Sequence, residues 1–167
     1  MADDGAASFD ALVAGADAAM VVVTAADGDE RDGCLVGFHA QASIDPRRYV
    51  VWLSRVNRTY RIAQRSSHLA VHGVGIDDHD LAELFGGTTG DEVDKLAAVE
   101  WTPGPGGVPL VAALPVRFVG RVLTELDLPD ADHVGFVLDP LPAGPGAAAG
   151  PPLRLSDAKD ISPGHPA

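Results

Sequence analysis

The chain has 167 residues and a formal net charge of −12. The length suits one domain with a real core. The charge excludes a general nucleic-acid binder, which needs a basic footprint, and disfavours electrostatic attachment to anionic membranes.

From the start of the chain, "SFDALVAGADA" places Phe9, Leu12, Val13 and Ala16 at helical spacing, with Ser8 as N-cap. "AMVVVTAA" (19–26) reads as a buried strand. "DGDERDG" (27–33) is a turn, and "CLVGFHAQ" (34–41) returns as the second strand of a hairpin. Pro46 ends that pairing, because proline cannot donate to a ladder. "RYVVWLS" (48–54) is a third strand. Residues 57–66 then switch to helical spacing, with Asn57 as cap, Tyr60 and Ile62–Ala63 inward and arginines outward.

"HLAVHGV" (68–74) is a fourth strand. "DDHDLAELFGG" (77–87) is a helix, capped by Asp77 or Asp78 and stopped at Gly86. The following stretch reads as loop, with a turn or two of helix over "DEVDKL". "ALPVRFVGRVLTELDL" (113–128) alternates, with Val116, Phe118, Gly120 and Val122 on one face and Arg117 and Arg121 on the other. It is a long, half-exposed strand that pairs across "PDAD" with "ADHVGFVLDPL" (131–141). Residues 142–167 form a Gly/Pro-rich extension with room for one short strand.

Hairpins without regular βαβ alternation predict a mainly β fold, an antiparallel barrel closed or partly closed, with two or three short helices. The domain is expected over 8–141. A single cysteine, Cys34, excludes an internal disulfide framework and fits a reducing, cytoplasmic setting. The first ten residues carry three aspartates and no Lys or Arg, the reverse of a signal-peptide start. No apolar run approaches a transmembrane length.

Chemistry is suggested in four places. "SRVNRTYRIAQR" carries Arg55, Arg58, Arg61 and Arg65, and Arg47 and Arg48 precede it, so six of the chain's 12 cationic residues fall in one segment. Such a face is usually only solvated surface. Here it lies at a strand-to-helix junction, where Asn57, Thr59 and a guanidinium suit a single phosphate. In "GFHAQAS", His39, Gln41 and Ser43 share one face of a strand. They face either solvent or the polar edge of a ring that the small Ala40 and Ala42 let approach. His68, His72 and His79 lack the Cys pair or H-E-x-x-H pattern of a metal centre, so no metal is expected. His133 opens a strand after an acidic turn, as either an exposed turn residue or a polar group reaching a neighbouring site.

The ordered set "VVVTAADG", "GFHAQASIDP", "VVWLSRVNRTYRIA", "LAVH" before "HDLAELFGG", "GDEVDK", "PGPGG" and "DADHVGFVLDP" resembles the flavin reductase-like, FMN-binding split-barrel family over residues 8–141. The resemblance implies a homodimer holding a flavin in each subunit at the dimer interface. It implies FMN, with FAD as the alternative, reduced by NADH or NADPH and serving a partner monooxygenase. It assigns His39, Ala40, Gln41, Ala42 and Ser43 to the ring and ribityl chain. Ser54, Arg55, Asn57, Arg58 and Thr59 go to the phosphate, with Lys95 approaching it. His72 and His79 become further flavin contacts, and His133 the group linked to nicotinamide and hydride transfer. The family's "GDH" motif reads "ADH" here, and the segment after "GF" is shorter.

The expected function is therefore an NAD(P)H-dependent flavin reductase, in which the cofactor carries the redox chemistry. Two rivals stand beside it. One is an FMN-binding electron carrier or non-catalytic flavoprotein without its own pyridine-nucleotide site. The other is a barrel for a different planar or phosphorylated ligand, such as haem or a deazaflavin. No nucleic-acid or membrane partner is expected.

Overall fold

The structure is a computed structural model that describes residues 4–142 and 146–165. Helix α1 spans Asp4–Ala16, and strands β1 (Val21–Asp27), β2 (Glu30–Val36), β3 (His39–Ser43) and β4 (Arg48–Ser54) follow. Next come α2 (Arg58–Ala63), β5 (His68–Gly73), α3 (His79–Gly87), a small hairpin of β6 (Trp101–Pro103) and β7 (Pro109–Val111), and the long pair β8 (Arg117–Asp127) and β9 (His133–Pro140). Short 3-10 turns lie at Lys95–Ala98, Pro105–Gly107 and Leu155–Ala158.

Seven strands form one antiparallel sheet in the order β2-β1-β5-β8-β9-β4-β3. The sheet curls into a half-barrel. Cys34 and Val36 of edge strand β2 share one buried cluster with Val51 and Leu53 of β4, although four strands separate them in the sheet. A flat sheet would hold those strands roughly 4.8 Å apart per step, well beyond side-chain contact. Helix α2 drives Tyr60, Ile62 and Ala63 into the same inner cluster. The mainly β, antiparallel split-barrel architecture is therefore as the sequence predicts, with three helices.

Strand β1 shows why "VVVTAA" lacks polar alternation. Val21, Val23 and Ala25 face the inner core, while Val22 joins an outer cluster with Val74, Phe85, Val111, Leu114 and Leu153. Both faces are buried, so both must be apolar. The outer cluster is covered by α3, the 3-10 turn at Lys95–Ala98, the β6–β7 hairpin and residues 151–161. Within that last segment, strand-like pairing is confined to the bridges Ala19–Arg154 and Gly75–Pro152, and Leu153 is fully packed.

Several local expectations are corrected. Helix α1 begins at Asp4, so Ser8 lies inside it. Phe9 and Leu12, expected to face a core, are 65% and 72% exposed. The strand expected over 34–41 breaks at Gly37–Phe38, and the chain crosses from one sheet edge to the other. "WTPGPGGVP" is not loop throughout but a hairpin, whose tip uses Gly106 and Gly107 at φ +69° and +76°. Helix α3 runs through Gly86 to Gly87. The glycine at 86 permits a close approach, since a Cβ there would lie 2.8 Å from the Leu35 side chain.

Candidate active site

A cleft of about 280 Å³ opens at the end of the half-barrel. Its floor and one wall come from β2 and the strand crossing (Cys34 to Phe38). The end of β4 supplies Trp52 and Ser54, the α2 cap supplies Asn57, and the start of β9 supplies His133. The far side is the end of α3 with Thr88 and Thr89, together with Ile161, Pro163 and His165.

Flat side chains dominate one end. Phe38 and His133 lie 5.0 Å apart between ring centres, at 52°. Trp52 pairs in register with Gly135, and a Cβ at Gly135 would meet the indole ring at 3.0–3.1 Å. The missing side chain thus lets the indole lie against the backbone. Ser54 stands opposite His133 in the β4–β9 ladder, which brings both to the same mouth. His133 Nδ1 is 2.7 Å from Asp132 Oδ1, and that bond holds the Asp132 carboxyl below its ordinary range.

The other end is polar and neutral. The Asn57 carboxamide oxygen caps α2 by accepting from Thr59 N–H at 2.9 Å, so its Nδ2 is turned towards the cleft. Beneath lies a buried group of Cys34, Asp32, Thr59 and Lys95. Lys95 Nζ is 3.5 Å from Asp32 Oδ1, and both side chains are almost wholly buried. Burial pushes the Cys34 thiol up to about 11, so it is a neutral thiol and no nucleophile at neutral pH.

The cleft thus unites Ser54, Asn57 and His133 among the residues singled out from sequence. It does not gather the others. His39 is tied between Tyr49 Oη and the Ala19 carbonyl, both at 2.6 Å. Ala40, Gln41 and Ala42 are exposed, and Gln41 donates to the Ser43 carbonyl at 3.2 Å. Arg55 donates to the Ala131 carbonyl at 2.7 Å and pairs with Asp127. Arg58 donates to the Arg31 carbonyl at 3.1 Å, in a second depression shared with Trp101. Thr59 is fully buried below the cleft, and Lys95 faces Asp32. His79 pairs with Asp160 at 2.9 Å, which raises its pKa. His72 is fully buried: it bridges the Val22 carbonyl at 3.1 Å and the Val111 N–H at 3.2 Å.

Sequence reasoning missed Phe38, Trp52, Thr88, Thr89 and the C-terminal contributors. Trp52 had a signal: a lone tryptophan in a strand register-paired with glycine. The register itself, however, is a property of the folded sheet.

A curled antiparallel sheet with an aromatic-walled cleft at its open end defines the architecture, a split β-barrel. A model of the flavin reductase like domain matches residues 15–152, and the chain belongs to that family. No curated protein matches the chain. Among solved structures, a protein of Sinorhizobium meliloti 1021 assigned to the oxidoreductases is 24% identical with a TM-score of 0.69. That match covers 82% of this chain, which spans only 46% of the other's length. The flavin reductase HpaC, complexed with NADP+, has a TM-score of 0.77 at 17% identity, covering 92% of this chain and 95% of its own. A nitrilotriacetate monooxygenase component B homolog from Mycobacterium thermoresistibile has a TM-score of 0.67 at 18% identity, covering 83% and 76%. At these identities the likeness carries the fold.

Proposed function

We propose that this chain is an NAD(P)H-dependent flavin reductase whose flavin lies in the cleft between the Phe38–Trp52–His133 end and the Asn57–Thr88–Thr89 end. The carrying observation is that polarity: flat, largely apolar groups at one end and neutral hydrogen-bonding groups at the other suit a planar ring bearing a polar tail. FMN is the flavin of the proposal, with FAD the alternative. Bound flavin supplies the hydride acceptance that no side chain offers. The residues position and shield. Trp52 and Phe38 flank the ring, Asn57 Nδ2 donates to the tail, and His133, oriented by Asp132, stands where a nicotinamide would approach. Among the other residues assigned from the family resemblance, Thr59 and Lys95 act from below by fixing Asn57 and Asp32.

A homodimer belongs to the same reading. Phe38 is 53% exposed although it walls the cleft, and Ile44, Leu123 and Leu128 are also exposed apolar side chains. A second copy covering Phe38 would complete the site. Reduced flavin would then serve a partner monooxygenase, in the cytoplasm; the fold shared with a monooxygenase component supports that role. No helix among the described residues is long and apolar enough to cross a membrane.

The test is the visible spectrum of the purified protein after addition of FMN, then of NADH or NADPH. Perturbed flavin bands that bleach on adding the nucleotide support the reductase. Flavin that binds but never bleaches favours the electron carrier, and no flavin binding rejects both.

A further inference from the structure

Residues 161–165 leave the last 3-10 turn and run into the cleft. Ile161 N–H donates to the Ala158 carbonyl at 3.0 Å, and Gly164 N–H donates to the Gly86 carbonyl at 3.2 Å. A Cβ at Gly164 would lie 2.6 Å from both Thr88 C and Thr89 N. The segment therefore lies flush on the backbone that ends α3, a seat open only to glycine. His165 then reaches Asn57, with Nε2 and Nδ2 3.3 Å apart. Because the Asn57 oxygen already accepts from Thr59, its Nδ2 is the donor and the His165 ring nitrogen the acceptor.

Pro163 and His165 thus stand against Asn57, Thr88 and Thr89, the groups that the proposed flavin site assigns to the ligand's polar tail. The His165 ring and a ligand's tail cannot both occupy the space beside that amide. The segment lies near the surface. Ser162 and Pro163 are exposed, Gly164 and His165 only half-buried. Ile161, by contrast, packs on the outer core. An element with few buried contacts opens at low cost.

We propose that residues 162–165 form a displaceable strap that closes the Asn57 end of the cleft and must leave before flavin enters. The proposal rests on the flavin site described above. A strap seated about nine times in ten leaves about a tenth of the molecules competent, and so weakens apparent affinity about tenfold. The loss falls on the association rate, because the strap departs before the ligand makes contact and the bound state is unaltered.

The experiment compares three proteins by stopped-flow fluorescence with FMN: the full chain, a chain stopped after Ile161, and Gly164→Ala. The truncation keeps Leu153, Ala158 and Ile161 in their packing. The Gly164→Ala methyl collides with the Thr88–Thr89 backbone and unseats the strap without shortening the chain. Both variants are expected to bind FMN about tenfold tighter through faster association, with dissociation unchanged. If the full chain binds FMN and the truncated chain binds no better, or releases it faster, the strap is refuted and the flavin site stands. If none of the three binds FMN, the flavin site falls and the strap with it. Should Gly164→Ala fail to fold, the truncation decides alone.

Discussion

His72 offers a quantitative test of how the site's scaffold is held. Its Nδ1–H donates to the Val22 carbonyl and its Nε2 accepts from the Val111 N–H, so a neutral ring ties β5 to both β1 and β7. Burial lowers its pKa from 6.5 to about 4. A protonated ring could not accept from Val111, so the folded chain refuses a proton that the unfolded chain takes up. The His72 contribution is therefore fully present above pH 6.5 and is lost as pH falls towards about 4. Linkage puts the loss at about 2 kcal/mol near pH ~5 and about 3 kcal/mol near pH ~4. Urea unfolding across this range, for the natural chain and for His72→Gln, isolates the group from the carboxylates, which titrate in both. The variant is expected to be about 2 kcal/mol less stable at neutral pH, where it loses one of two buried bonds. Its stability curve should then run flatter between pH ~6.5 and ~4, so that the two curves meet near pH ~5 and cross below it. Parallel curves would refute the buried neutral imidazole as the source.

Three further perturbations probe the cleft and its base. Asn57→Ala should weaken FMN by about tenfold and riboflavin by less, since the lost donor faces the phosphorylated tail; equal losses in a fluorescence titration would remove that role. His133→Ala should slow flavin reduction by NADH at least about tenfold through lost positioning, with flavin affinity held within about twofold. Unchanged reduction in stopped flow takes His133 out of the mechanism. Lys95→Met strands the buried Asp32 carboxylate and should cost about 3 kcal/mol, while Lys95→Met with Asp32→Asn should recover most of it. A double variant as unstable as the single one would show that the ion pair is not what Lys95 supplies.

The fold was largely legible because its signals are local. β1 is apolar on both faces, Asn57 precedes a helical pattern, and β8 sets Phe118, Gly120 and Val122 on the face opposite Arg117 and Arg121. The β6–β7 hairpin was hidden because its proline and glycine residues are loop formers; in the fold it is tied to β1 by Thr24 Oγ1, which donates to the Pro109 carbonyl at 2.7 Å across 85 residues of sequence. The site was less legible because side-chain destinations are tertiary. His72, Lys95 and Thr59 sit in promising sequence contexts, yet neighbours from distant segments turn each into a buried structural group. Phe38 and Trp52 gave no polar signal at all.

The arginine segment shows the same limit most sharply. Read along the chain, it is a cluster of positive charge in an acidic protein. In the fold, four of the six arginines meet an acid brought from elsewhere: Arg48 meets Asp139 at 2.7 Å, Arg55 meets Asp127, Arg61 meets Asp91, and Arg65 meets Asp27 and Glu30. These exposed pairs add little stability individually. Together they offset much of the local field that the sequence suggests. A ligand phosphate in the cleft would then be gripped by neutral donors such as Asn57 Nδ2, at hydrogen-bond range, and not drawn in by a basic patch. Short-range bonds of that kind are screened little by salt, whereas attraction to an open arginine cluster would fade over a Debye length. The basic segment therefore bears on the site mainly through its strand-to-helix junction, where Asn57 caps α2, and most of its charge is paired at the surface.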